Sequence, residues 1–123
     1  MKIMIFLGAI NMFLAVALGA FGAHGLEGKV SERMLANWQT GSSYHMTHAL
    51  GLLLIGLVAK FTGSSPLVMT GGWFILAGII IFSGSLYLMT LTDVTKLGMI
   101  TPIGGVSFLI GWILIAVAAL KTI

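Results

Sequence analysis

Apolar residues occupy four long stretches of this chain, and nearly all of its charged residues lie between them. The stretches cover residues 3–23, 44–61, 67–91 and 102–120. Each is close to the ~20 residues that an α-helix needs to cross the hydrocarbon core of a bilayer. The pattern predicts an all-α polytopic membrane protein, in which four transmembrane helices form a bundle and residues 1–123 make a single domain.

One substantial polar segment, residues 26–43, follows the first apolar stretch. Within it, residues 31–38 could form a short helix in the membrane interface, with Met34, Leu35 and Trp38 on one face. The alternative is a solvated connector. The glycine- and serine-containing segment 62–66 predicts a tight turn, and the Thr101-Pro102 pair favours the start of the fourth helix.

Composition supports a membrane protein and removes several other classes. Hydrophobic residues make up 59% of the chain and charged residues 7%, against roughly 25% charged in soluble domains. The absence of cysteine excludes disulfides and thiolate metal sites. The net charge is +3, but its cations are scattered singly near helix ends, so a nucleic-acid partner is excluded and membrane lipids are expected instead.

Four crossings place both termini and the second loop on the same side of the membrane. The side with the termini carries Lys2, Lys60 and Lys121, and the other side carries Lys29, Arg33 and Lys96. Cytoplasmic loops usually hold an excess of Lys and Arg, but three on each side leave the orientation undecided. The side that holds the termini carries no acids, which favours cytoplasmic termini in the plasma (inner) membrane. We interpret the first stretch as a retained helix, because it is long for the apolar region of a signal peptide.

Small residues recur every seven positions along each apolar stretch. In a bilayer, helices associate by close packing at such residues, and a heptad spacing favours gentle left-handed crossings. The spacing therefore predicts a tight bundle that also self-associates as a homo-oligomer with a structural or accessory role. The packing positions are Gly8, Ala15, Gly22, Ala49, Gly56, Gly71, Gly78, Gly104 and Gly111.

A few polar residues lie inside the apolar stretches, where each polar group is costly and needs a partner. They are Asn11, Ser83, Ser85, Tyr87 and Ser107. One interpretation is hydrogen bonding between helices. The alternative is a permeation or lipid-handling protein with a polar crevice between its helices. No acidic or basic residue lies in the middle of a stretch, which disfavours ion-coupled transport.

Histidines and an acid are predicted to gather at one membrane face: His24, His45, His48 and Asp93. His45 and His48 are three residues apart and share a helical face, so with His24 they could form a three-nitrogen zinc site. A proton relay or pH sensor is a second interpretation. In the third, His24 caps its helix and the other two bond to backbone or carboxylates, so that the protein needs no cofactor.

Aromatic residues and the absence of known motifs complete the sequence picture. Interfacial anchoring is expected for Trp38, Tyr44, Trp73, Tyr87 and Trp112. The chain contains no glycine-rich phosphate loop and no Ser/His/Asp set or paired carboxylates. A non-enzymatic protein is therefore favoured over an enzyme.

Four ordered motifs resemble a known family. They lie at residues 19–26 (GAFGAHGL), 44–50 (YHMTHAL), 82–87 (FSGSLY) and 101–112, which begins TPIGG and ends GW. These strings resemble the small membrane family called domain of unknown function 423, which includes transmembrane protein 256. The resemblance spans almost the whole chain and implies a compact multi-helix protein of the inner or plasma membrane. It implies no reaction, so no catalytic residues carry over.

Overall fold

In the computed structural model of this protein, residues 2–122 are described, and no strand occurs among them. Two π-helical turns accompany the α-helices: Gly22–Leu26 follows α1, and Ile79–Ser83 joins α3 to α4. A 3₁₀ turn, Thr95–Met99, precedes the last helix. The five α-helices are α1 (Lys2–Phe21), α2 (Glu32–Thr62), α3 (Pro66–Gly78), α4 (Gly84–Thr92) and α5 (Thr101–Thr122).

These elements make four membrane spans. α1 with its π turn, α2, the continuous α3–π–α4 segment, and α5 with the preceding 3₁₀ turn are each long and apolar enough to cross a bilayer. We refer to the α3–π–α4 segment as the third span. The predicted all-α bundle of four transmembrane helices is confirmed.

The second span begins at Glu32, well before the predicted residue 44. Ser31 caps the helix, because its hydroxyl accepts a hydrogen bond from Met34 N at 3.1 Å. The segment predicted as a short interfacial helix or connector is therefore the first part of α2. It is held in place by Thr90, whose hydroxyl donates to Met34 O at 3.0 Å and ties the start of α2 to α4.

A sharp turn connects α2 to the third span. Gly63 adopts the left-handed conformation (φ 66°), and its N–H bonds back to Ala59 O. Ser64 is also left-handed (φ 61°), and Pro66 then opens α3, where a missing N–H costs nothing. The turn makes α2 and the third span antiparallel neighbours.

Helix packing depends on close approach at small residues. α1 packs along α2, and α5 packs along α3 and the π-helical segment Ile79–Ser83. α2 also contacts α3 and α4. A methyl group added at Gly8 would lie 2.8 Å from Leu53 N, and one added at Gly111 would lie 3.0 Å from Gly71 O. All of the predicted packing residues are buried: Gly8, Ala15, Gly22, Ala49, Gly56, Gly71, Gly78, Gly104 and Gly111.

Candidate functional site

An interior polar cluster joins three helices. It consists of Asn11 on α1, Ser42 and His45 on α2, and Tyr87 on α4. His45 Nε2 lies 3.0 Å from Asn11 Oδ1, and His45 Nδ1 lies 3.0 Å from the Tyr87 hydroxyl. Ser42 forms a further hydrogen bond to Tyr87. The histidine therefore bridges α1 and α4 from its position on α2.

The hydrogen-bond partners fix the protonation pattern of His45. Asn11 Nδ2 donates to Leu7 O at 2.9 Å, so the Asn11 oxygen faces His45 and can only accept. His45 Nε2 therefore carries the proton and donates to Asn11. In the neutral ring, Nδ1 is then the acceptor, and the Tyr87 hydroxyl donates to it.

This cluster lies deeper in the bundle than the sequence suggested. His45 was predicted to start a helix at one membrane face, together with His24. Because α2 begins at Glu32, His45 instead lies in its interior and pairs with Asn11, which is in the middle of α1. α2 starts about three helical turns earlier than predicted, so His45 lies that far inside the helix and not at its first turn.

His48 belongs to a second group of residues, the aromatic cluster. Its other members are Tyr44, Phe82, Phe108 and Trp112. His48 Nε2 accepts a hydrogen bond from Trp112 Nε1 at 3.1 Å, and Nδ1 donates to Tyr44 O at 2.8 Å. The imidazole stacks on the Phe108 ring with centroids 3.6 Å apart and an interplanar angle of 14°.

Both partners of His48 have only one hydrogen-bonding role. The Trp112 indole N–H can only donate, and the Tyr44 carbonyl can only accept. His48 is therefore the neutral Nδ1–H tautomer, opposite to His45 three residues earlier. Neither ring has a free nitrogen in this arrangement.

The predicted zinc set does not come together. His24 is exposed on the π turn after α1, and Asp93 is exposed at the end of α4, where it caps the helix in a left-handed conformation (φ 57°). Among residues 2–122, no three His, Cys, Asp or Glu side chains are grouped to hold a metal ion. Zinc binding to His45 or His48 would require their existing bonds to break, so the donor set does not fit a metal.

The intramembrane serines each have a partner within the chain. Ser83 Oγ donates to Gly41 O at 2.7 Å, which links the third span to α2, and Ser107 Oγ donates to Phe74 O at 2.7 Å, which links α5 to α3. Ser85 Oγ bonds to Phe82 O and to Thr101 Oγ1. No buried polar side-chain atom among the described residues lacks a partner.

Trp38 and Tyr87 were expected at the membrane interface, but both contact other helices inside the bundle. Trp38 is only 1% exposed, and its indole N–H donates to Leu18 O at 2.9 Å. Its ring lies against Tyr87, with centroids 4.6 Å apart. Gly22 makes room for the indole, because any side chain there would collide with it. The glycine-rich sequence at the end of the first stretch was the one feature from which a large side chain packed against it could have been predicted.

Two adjoining cavities form a groove along α2, the third span and α5, which we call the α2–α5 groove. The outer cavity, of about 340 Å³, is lined near the start of α2 by Arg33 and Asn37. The inner cavity, of about 480 Å³, is lined by members of the aromatic cluster and by Val106 and Leu109. Phe82 and Pro102 line both cavities, so the two cavities are neighbours.

Comparison with known proteins places the chain in a family. Residues 18–105 match the family described as "Protein of unknown function (DUF423)". The chain belongs to this family. Its curated relatives include UPF0382 membrane protein YwdK of Bacillus subtilis, which is 55% identical over 121 residues and covers 98% of both chains. The family that the sequence motifs resembled is thereby confirmed.

Further relatives share the full length of the chain. UPF0382 membrane protein SERP0230 of Staphylococcus epidermidis is 52% identical over 121 residues, with 98% of both chains covered. The corresponding protein SSP2132 of Staphylococcus saprophyticus is 47% identical over 121 residues, covering 98% of this chain and 99% of its own. No solved structure matches this chain. The names of these relatives describe membrane proteins and state no activity.

Proposed function

We propose that this protein is a non-enzymatic structural or accessory membrane protein that acts as a homo-oligomer paired through α1. It resides in the plasma (inner) membrane with both termini in the cytoplasm and works without a bound cofactor. The observation that carries this proposal is a stripe of alternating large and small residues on the outward face of α1.

The chemistry of the membrane interior supports a non-enzymatic role. The interior polar cluster and the serines use their hydrogen-bonding groups on one another or on backbone carbonyls. A transport path needs groups that exchange partners with a substrate, whereas these groups already hold helices together. The geometry therefore supports hydrogen bonding between helices over the alternative of a permeation path through Asn11, Ser83, Ser85, Tyr87 and Ser107.

The outward face of α1 supports pairing. α1 is the least buried of the four spans, since it packs mainly on α2. Its exposed face carries Phe6, Ala9, Phe13, Ala17 and Ala20, which follow one another at steps of three or four residues. Helices associate in lipid where small residues admit large ones from a neighbour. Two copies inserted in the same orientation bring their α1 helices together in parallel, so each stripe offers both features to the other.

Disulfide cross-linking tests the pairing cleanly, because the natural chain has no cysteine. We expect Phe13→Cys to form a disulfide dimer in native membranes under mild oxidation. Ile80→Cys on the third span is the matched control, since the two side chains are similarly exposed, at 69% and 64%. Equal dimer yields at both positions, or monomer alone at Phe13→Cys, would refute pairing through α1.

Orientation is tested separately. In intact cells, a membrane-impermeant maleimide should label a cysteine at Lys29, in the first loop, and should leave one at Lys60 unlabelled until the cells are lysed. The reverse pattern would place the termini outside. This result does not depend on whether the protein self-associates.

A further inference from the structure

The α2–α5 groove has a polar outer end and an apolar inner end. Arg33 and Asn37 line the outer cavity, one helical turn apart on α2. The inner cavity is walled by aromatic rings and by Val106 and Leu109, which are 53% and 67% exposed. Each cavity falls in the ~300–1,000 Å³ range of ligand pockets. The groove is therefore amphipathic along its length and open to the surrounding lipid.

The polar end has free hydrogen-bond donors. The Arg33 side chain makes no hydrogen bond or ion pair with any other described residue. Asn37 Nδ2 has only a long contact of 3.8 Å to the Met34 sulfur. A guanidinium presents a planar fork of N–H groups that matches two oxygens of a phosphate, and the amide adds a further donor. The chemistry at this end fits a phosphodiester.

The length of the groove fits one leaflet of the bilayer. Along α2, the step from Arg33 to Tyr44 is eleven residues, or roughly 16 Å at ~1.5 Å per residue. Half of a hydrocarbon core of ~30 Å is about 15 Å. An occupant with its phosphate at Arg33 would therefore extend an acyl chain past Phe82 and reach the aromatic cluster near the middle of the bundle.

We propose that the α2–α5 groove binds one membrane phospholipid, with its phosphodiester held by Arg33 and Asn37 and one acyl chain lying along Phe82, Val106 and Leu109. The occupant is a glycerophospholipid, because the groove needs an anionic head at one end and a chain of leaflet length at the other. A free phosphate would leave the inner cavity unfilled. This site is separate from the α1 face proposed for self-association.

Native mass spectrometry tests the proposal on the full chain in detergent, titrated with 1-palmitoyl-2-oleoyl-phosphatidylglycerol. We expect one lipid to remain bound at collision energies that strip loosely bound lipid. Arg33→Gln should weaken binding at least about tenfold, because a charge-assisted pair is lost. Gly105→Leu should do the same by filling the groove, since a methyl group at Gly105 would lie 3.9 Å from Phe82 Cδ2.

Two controls match these variants. Gly84→Leu also adds a side chain to a partly exposed glycine, but in open space outside the groove, and should bind as the natural protein does. Lys60→Gln removes a positive charge at the opposite membrane face and should also leave binding unchanged. Far-UV circular dichroism establishes that each variant is folded. Val106→Trp fills the same groove from an exposed position and replaces Gly105→Leu should that variant not fold.

The result that supports the site is weaker binding in both groove variants, normal binding in both controls, and at least tenfold weaker binding of the matched diacylglycerol, which lacks phosphate. Equal binding of diacylglycerol and phospholipid would overturn the proposal, as would equal loss in the control variants. A disulfide dimer of Leu109→Cys in native membranes would place a second chain in the groove and would also overturn it.

Discussion

His45 and His48 lie three residues apart on one helix, yet they occupy different environments. His45 bridges side chains from two other helices, Asn11 on α1 and Tyr87 on α4. His48 bonds to its own helix and to Trp112 on α5, with one face against Phe108. The two rings are opposite tautomers, because the donors and acceptors around them are arranged in opposite order.

The difference shows why these two residues do not form a chelating pair. An α-helix has 3.6 residues per turn, so two side chains that are three residues apart point in directions about 60° apart around the helix axis. In a helix with a single partner, both rings could face it. Here His45 joins α2 to α1 and α4, whereas His48 joins α2 to α5.

Replacing His45 should have the largest effect on stability. His45→Leu keeps the volume but leaves the Asn11 oxygen without a partner and the Tyr87 hydroxyl with Ser42 alone. We expect the free energy of unfolding to fall by about 2–4 kcal/mol, since the stranded oxygen costs roughly 1–3 kcal/mol and the lost bond to Tyr87 about 1 kcal/mol. Unfolding by sodium dodecyl sulfate in mixed micelles, followed by circular dichroism, measures it. A loss below about 0.5 kcal/mol would mean that the cluster contributes nothing to stability.

Replacing His48 should cost less. His48→Leu removes the bond to Trp112 and the stack on Phe108, but the indole N–H it strands lies at the edge of an open groove. We expect a loss of about 1–2 kcal/mol in the same titration. Trp112→Phe should reproduce part of this loss, whereas Trp73→Phe, on an exposed part of α3, should not. A loss larger than that of His45→Leu would reverse the ranking of the two sites.

A double-mutant cycle sharpens the comparison further. Asn11→Leu and His45→Leu should together cost less than the sum of the two single changes, because either one alone already breaks their shared bond. The coupling energy should lie near the ~0.6 kcal/mol average for hydrogen bonds between membrane helices and at most about 1.7 kcal/mol. The pair Asn11→Leu and His48→Leu is the control and should be additive, since the two residues are not hydrogen-bonded to each other and have no hydrogen-bond partner in common.

His24 should have the smallest effect. It is exposed and has no part in either cluster, so we expect His24→Asn to change the free energy of unfolding by less than about 0.5 kcal/mol. Equimolar zinc should not raise the unfolding midpoint of the natural protein or of this variant. A zinc-dependent rise that disappears in His24→Asn would restore the three-histidine interpretation.

Local sequence was a reliable guide where local physics decides. Stretches of about twenty apolar residues have few alternatives to a transmembrane helix, because every backbone polar group must be paired within the bilayer. The heptad positions such as Gly8 and Gly111 are buried at helix crossings, where a side chain would force the backbones apart. A seven-residue spacing keeps such residues on one face, so periodicity alone could identify them.

Hydropathy failed at the start of α2. Residues 32–43 are polar on average, so their apolar positions do not stand out as a run. Met34 and Trp38 are nevertheless buried, and Thr90 bonds to Met34 O from α4. The helix is stabilised there by contacts with a segment more than fifty residues away, which no local average can register.

The sequence by itself determined the number of membrane spans and the family. The tertiary structure alone decided which polar groups meet, because that depends on how each helix is rotated and how far it is shifted against its neighbours. Packing between the helices placed His45 beside Asn11 and Tyr87, His48 beside Trp112, and Arg33 at the mouth of the α2–α5 groove.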